Sequence, residues 1–139
     1  REYLYRIRAA ALPDPFTARF EWHRPGRYAV GAMRRAARLL EGRHDFTSFS
    51  RSGPTSPVRD LDRLTVRAVG QLLEVRARAP SFLHQMVRSL VGTLVAVGEG
   101  KMDAGSMPDV LAARSRAAAG PVAPAHGLTL VRVVYGSRG

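Results

Sequence analysis

Only a few positions in this sequence offer acid–base chemistry. His44 and Asp45 are adjacent and could form a proton donor–acceptor pair. Phe46 and Phe49 follow them closely, so a structural turn over an aromatic core is the simpler reading. His84 and Arg88 are spaced to lie one turn apart on a helix. Arg88 falls at the border of that helix's apolar arc, where a guanidinium can reach into a cleft and hold a carboxylate ionised. A solvated arginine is the plain alternative. Asp103, within Gly100-Lys101-Met102-Asp103-Ala104-Gly105, reads as a loop or cap residue. The four histidines lack metal-ligand spacing, and there is no cysteine for a thiolate site or a disulfide. No metal site is expected.

Arginine is what the sequence has in quantity. Lys and Arg number 22 against 11 Asp and Glu, a formal net charge of +11, and Lys101 is the only lysine. Guanidinium groups suit bidentate contacts to phosphate and stack on bases, so nucleic acid leads the list of partners. Codon usage in a GC-rich genome would also favour arginine over lysine, but it does not set the sign of the net charge. The 139 residues, 45% of them apolar, suit one compact domain and argue against intrinsic disorder. Arg88 interrupts the longest apolar stretch, and the start has no signal-peptide pattern. A soluble, cytoplasmic protein is expected, with no membrane partner. The first residue is Arg1, and the methionines stand at Met33, Met86, Met102 and Met107, so a piece of a longer protein is expected.

The elements that would position these groups can be read from periodicity. Tyr3, Tyr5, Ile7 and Ala9 alternate with Leu4, Arg6 and Arg8, a strand pattern. Residues 12–26 carry Pro13, Pro15, Pro25 and Gly26 and read as a long connection. Ala29, Met33, Ala36 and Leu40 recur at helical spacing, with Arg34, Arg35 and Arg38 opposite and a stop at Gly42. Residues 50–57 are polar and rich in turn formers. Residues 64–68 and 73–79 alternate about Gly70 as a hairpin with one apolar face, the other bearing Arg67, Arg76 and Arg78. From Ser81 to about Val97, Phe82, Met86, Leu90 and Leu94 form one row, and Leu83, Val87, Val91 and Val95 a second. Two rows predict a helix packed across a sheet. Ser106 and Asp109 resemble a capping box for a short helix, residues 117–124 read as a loop, and residues 128–135 as a buried apolar strand. This order predicts an α+β domain of the split βαβ, ferredoxin-like kind: an antiparallel sheet with its helices on one face.

Four segments, in order over nearly the whole chain, resemble one family. They are Arg1-Glu2-Tyr3-Leu4-Tyr5, Gly42-Arg43-His44-Asp45-Phe46-Thr47-Ser48-Phe49, the stretch from Ser81-Phe82-Leu83-His84-Gln85-Met86-Val87-Arg88 to Leu94, and Ala123-Pro124-Ala125-His126-Gly127-Leu128. Together they are similar to the C-terminal half of the tRNA pseudouridine synthase A (TruA) family. The resemblance implies isomerisation of uridine to pseudouridine in the anticodon arm of tRNA, by a homodimer, without cofactor or metal. It also implies that the target base leaves its stack. In the family the nucleophile is the aspartate of a Gly-Arg-Thr-Asp-Ala-Gly motif in the N-terminal half, and this sequence has no such motif.

Residue by residue, Tyr3 matches the family's active-site tyrosine, whose ring would stack on the extruded uracil and whose phenol would assist proton transfer. By pattern alone, Tyr3, Tyr5 and Ile7 are one buried row. Arg88 matches the helix arginine that pairs with the catalytic aspartate. Leu128 matches a leucine that packs against the base, though by pattern it merely begins a strand. Arg51, Ser52 and Gly53 fall in a loop that touches tRNA in the family. Arg59 matches a later arginine, while Thr55 and Pro80 stand where relatives often carry Arg and Asn. With Arg67, Arg76 and Arg78 these are the expected RNA contacts. The rival expectations are a non-catalytic RNA-binding module on a ferredoxin-like sheet and a self-associating interaction domain.

Overall fold

A computed structural model of the chain describes residues 1–51, 53 and 55–133. Ser52, one of the expected RNA contacts, lies outside the described residues. In chain order the elements are β1 (Glu2–Arg8), β2 (Trp22–His23), α1 (Val30–Leu40), β3 (Gly42–Asp45), β4 (Val58–Leu61), β5 (Arg63–Val69), β6 (Leu72–Arg78), α2 (Met86–Gly98), α3 (Met107–Ala113) and β7 (Leu128–Arg132).

The alternating Tyr3–Ile7 row makes β1 the centre of the sheet. β6 runs antiparallel along one side of it, from Glu2 opposite Arg78 to Arg8 opposite Leu72. β5 continues the sheet as the hairpin partner of β6. The hairpin turns on Gly70, whose φ of +57° is a left-handed conformation that glycine adopts without a Cβ clash. On its other side β1 is shared: β7 pairs antiparallel with Glu2–Tyr5, and β2 pairs parallel at Ile7 and Arg8.

Tyr5, Ile7, Leu64, Val66, Leu73 and Val75 turn one face of the sheet onto Met33, Ala36 and Leu40 of α1 and Met86, Leu90 and Leu94 of α2. The expected α+β architecture is present, mostly antiparallel with the helices on one face. The outer edge of β5 is covered in part by α1: Arg34 Nε donates to the Val66 carbonyl at 3.0 Å, and the Leu64 amide donates to the Glu41 carboxylate at 2.8 Å. Both bonds occupy backbone groups that an edge strand otherwise leaves unpaired.

Four expectations are corrected, and one pair of strands is new. The long helix begins at Met86 rather than Ser81. Gln85 sits at φ +61°, and the carbonyls of Leu83 and His84 accept from the Met86 and Arg51 amides instead of from a further helical turn. Phe82 is thereby turned onto Tyr3, a tertiary contact that outweighs the apolar period. Secondly, the Ser106–Asp109 capping box does not form. The Ser106 hydroxyl donates to the Asp103 carbonyl, and Asp103 itself caps the preceding 3-10 turn by accepting from the Gly105 amide at 3.2 Å. Thirdly, β7 is a sheet edge rather than a buried strand, leaving Leu130 and Val131 nearly half exposed.

Fourthly, the long connection holds β2 and a buried carboxylate. Glu21 accepts two bonds from Arg8 (3.1 and 2.7 Å) and one from the Thr17 hydroxyl (2.8 Å). The new pair, β3 and β4, forms a separate two-stranded ladder that sets His44 opposite Arg59. Four-residue strands with no apolar alternation give no periodic signal, so neither was visible in the sequence.

Candidate active site

β1 presents Tyr3 on the helix-bearing face, between Ala77 of β6 and Leu130 of β7. Tyr3 is half-buried, and Phe82 meets its ring edge-to-face at 5.5 Å and 74°. Arg88 stands in the first turn of α2. Its Nε donates to the Ala123 carbonyl at 2.7 Å, and its own carbonyl accepts from the Ala123 amide at 3.0 Å. Among the described residues no carboxylate pairs with Arg88, and no further hydrogen bond occupies its terminal nitrogens. That edge of the guanidinium remains available to a bidentate acceptor.

Leu128 arrives on a tightly held segment. Thr93 Oγ1 accepts from the Gly120 amide at 2.9 Å, laying the chain against the backbone of α2. Only glycine fits below: a Cβ on Gly92 would stand 1.6 Å from the Pro121 carbonyl oxygen. Beyond Ala123, the Tyr5 phenol donates to the Pro124 carbonyl at 2.5 Å, and the His126 ring meets the Glu21 carbonyl at 2.9 Å. Gly127 abuts the Tyr5 ring so closely that a Cβ there would lie 2.6 Å from Cζ. Leu128 then starts β7 opposite Tyr5.

Tyr3, Arg88 and Leu128, from three separate elements, therefore line one open cleft of about 160 Å³ together with residues 82–87. Tyr5 lies beneath it, fully buried. Burial pushes its phenol well above the ordinary tyrosine range, against a smaller opposing pull from Arg88, so it stays protonated as a donor. Sequence reasoning assigned Tyr5 to the core and missed this second role. The Tyr-x-Tyr spacing was the available signal. Nothing in the sequence marked Gln85 as left-handed.

A larger hollow of about 460 Å³ adjoins the cleft and shares Phe82, Leu83 and His84 with it. Arg51, Gly53 and Arg59 line it, so the structure brings these three expected contacts together. Arg59 Nη1 donates to the carbonyls of Ser56 (2.7 Å) and Val58 (2.8 Å), while its buried Nε has no partner among the described residues. Arg67, Arg76 and Arg78 lie elsewhere, on the open face of the sheet.

His44 and Asp45 end β3 and lead into the 3-10 turn at Thr47–Phe49, and each bonds to backbone or to Thr47 rather than to the other. The His44 ring meets the Glu41 carbonyl at 2.9 Å and packs against Phe46. Asp45 accepts from the Thr47 amide (2.9 Å) and hydroxyl (2.6 Å). The hydroxyl bond is the main reason its carboxyl is held below the usual aspartate range, with the Thr47 amide and Arg114 adding to it.

A family model described as tRNA pseudouridine synthase matches residues 36–136, a span that includes Arg88 and Leu128. The chain belongs to the tRNA pseudouridine synthase family. Proteins named tRNA pseudouridine synthase A from Mesorhizobium japonicum and Acidiphilium cryptum are 48% and 47% identical to it, each over 97% of the chain. That from Beijerinckia indica is 48% identical over the whole chain, Tyr3 included. The overlap takes in 55%, 54% and 54% of these relatives, so the chain spans about half the length of the curated relatives it matches. Among the described residues no helix is long and apolar enough to cross a membrane.

Proposed function

We propose that this chain forms one wall of the active site of a tRNA pseudouridine synthase acting on uridine in the anticodon stem-loop. The observation that carries the reading is the convergence of Tyr3, Arg88 and Leu128 on one cleft. A uracil turned out of its stack enters that cleft, with Leu128 against one face of the base and the Tyr3 ring beside it. The nucleophile is an aspartate from outside this chain, and the open edge of the Arg88 guanidinium keeps that carboxylate ionised. The aspartate carboxylate bonds to C1′ as the glycosidic bond from C1′ to N1 breaks, the freed uracil rotates, and C5 displaces the carboxylate to form the C1′–C5 bond. The C5 proton then leaves and N1 takes one up, with the Tyr3 phenol assisting the transfer. Product and substrate are isomers, so no cofactor or co-substrate is consumed.

RNA on either side of the target base lies along the adjoining hollow against Arg51, Gly53 and Arg59. Arg67, Arg76 and Arg78 add positive potential from the open face. The active species is a cytoplasmic homodimer.

Release of tritium from tRNA carrying 5-tritiated uridine tests the reading. In the intact protein Tyr3→Phe and Arg88→Ala abolish release while tRNA binding is largely retained. The chain alone binds tRNA with steep salt dependence and releases none. Turnover by the 139-residue chain by itself overturns the assignment. If the two variants only weaken binding, the domain is a non-catalytic RNA-binding module.

A further inference from the structure

The open face of the sheet is not uniformly basic. Halfway along it, Glu74 stands between Arg6 and Arg67 in the strand register, with Arg6 Nε 3.9 Å from its carboxylate. Toward β2, Arg8 is matched by Glu21. At the opposite end the pattern breaks. Arg63 lies directly across from Arg78, and Thr65 across from Arg76, around a hollow of about 200 Å³. Among the described residues Glu2 is the one carboxylate lining that hollow, and it is engaged by Arg76 at 3.1 Å. Arg63 and Arg78 form no ion pair among the described residues. Like charges directly opposite on neighbouring strands destabilise a sheet. Three guanidiniums and one carboxylate around a concavity are a surplus that an oxyanion would neutralise.

We infer that Arg63, Arg76, Arg78 and Thr65 form a second anion site, which takes a backbone phosphate of the RNA. Two guanidinium forks meeting across a strand pair fit the oxygens of a phosphodiester, and the Thr65 hydroxyl supplies a further donor. The sequence reading of this face chose Arg67, which the structure sets against Glu74, and omitted Arg63. The site and the cleft stand back to back: Glu2 borders the hollow, and its neighbour Tyr3 faces the cleft on the other side of the sheet. One nucleotide cannot fill both, so the phosphate comes from RNA outside the segment that presents the target base. The inference rests on the proposed RNA substrate, but it is read by binding and does not require turnover.

The test compares the intact protein with its Arg63→Ala/Arg78→Ala variant. Each is titrated with a whole tRNA transcript and with an isolated anticodon stem-loop, from low to moderate salt. For whole tRNA the variant loses about tenfold or more in affinity, and its log–log salt slope becomes shallower by about 1 to 2. Stem-loop affinity stays unchanged. Inorganic phosphate raises the melting temperature of the wild type more than that of the variant. The variant's own melting temperature without phosphate is equal or higher, because a like-charge pair is removed. Equal losses on both RNAs still support the site and move its phosphate into the anticodon arm. Unchanged tRNA affinity and salt slope in a folded variant overturn it.

Discussion

Arg88 and Ala123 are joined twice: the guanidinium Nε donates to the Ala123 carbonyl at 2.7 Å, and the Ala123 amide donates to the Arg88 carbonyl at 3.0 Å. The pair fastens the first turn of α2 to the segment that becomes β7, so one contact aims the guanidinium and fixes the approach of Leu128. A lysine here has no Nε–H donor beside a planar fork, so it cannot hold Ala123 and present a bidentate edge at once. Arg88→Lys in the intact protein is therefore expected to lower single-turnover tritium release on the order of 10²–10³-fold, the scale of losing one preorganised electrostatic group. Affinity for tRNA should shift by less than about threefold. Near-normal turnover in the lysine variant would sink the role given to the fork.

Tyr5 acts on the same segment from below. Removing its hydroxyl leaves the Pro124 carbonyl without that donor in a half-buried setting, at a cost of about 1–3 kcal/mol. Tyr5→Phe is expected to lower the unfolding midpoint accordingly. Because Tyr5 does not line the cleft, the variant should lower kcat with little change in KM. A raised KM at unchanged kcat would mean that the segment is not held by this bond.

Three glycine-to-alanine changes should separate by their surroundings. At Gly92 the new methyl meets backbone, 1.6 Å from the Pro121 oxygen, and the covering segment has to lift. A loss above about 3 kcal/mol is expected, at the severe end for overpacking. At Gly127 it meets the tip of Tyr5, whose ring is held between Trp22 and the Pro124 carbonyl, and about 1–3 kcal/mol is expected. Gly31 lies exposed in α1 with only Arg35 Nη1 nearby, at 3.9 Å, so alanine there should stabilise by about 0.5–1 kcal/mol. Denaturant unfolding of the three variants checks the order, and a neutral Gly92→Ala would refute the close packing of residues 120–123.

What the sequence made legible follows from which forces leave a periodic trace. The Tyr3–Ile7 row, the stripe through Met33, Ala36 and Leu40, and the hairpin about Gly70 each bury one face, and burial of one face imposes a period. The start of α2 left no such trace. Phe82 continues the apolar row in spacing, yet it turns onto Tyr3 because the contact is between elements far apart in sequence. β7 carries enough apolar residues for a core strand, but nothing in its composition says which of its faces or edges is covered. The proposed site residues were readable only through resemblance. The segment that brings Leu128 beside Tyr3 and Arg88 packs closely on Gly92 and Tyr5, which do not line the cleft.

Glu99 closes the far end of α2 and carries a pH prediction. Its carboxylate accepts two bonds from Arg24 (2.6 and 3.2 Å) and faces Lys101 at 3.2 Å, while Arg24 also lies over the Trp22 ring. The Arg24 bonds, and secondarily Lys101, hold the carboxyl below the usual glutamate value of 4.5, against the opposing effect of burial. The folded state therefore binds this proton less readily than the unfolded chain does. The stabilisation is complete above about pH 4.5 and is lost as pH falls through the lower folded value. Asp45, depressed by Thr47 and Arg114, works in the same direction. Glu99→Gln should accordingly be less stable than wild type near pH 7, with the gap in melting temperature narrowing steadily below about pH 4.5. A gap that stays constant from pH 7 to pH 3 would assign the loss to packing around Arg24 and Trp22 rather than to the carboxylate's charge.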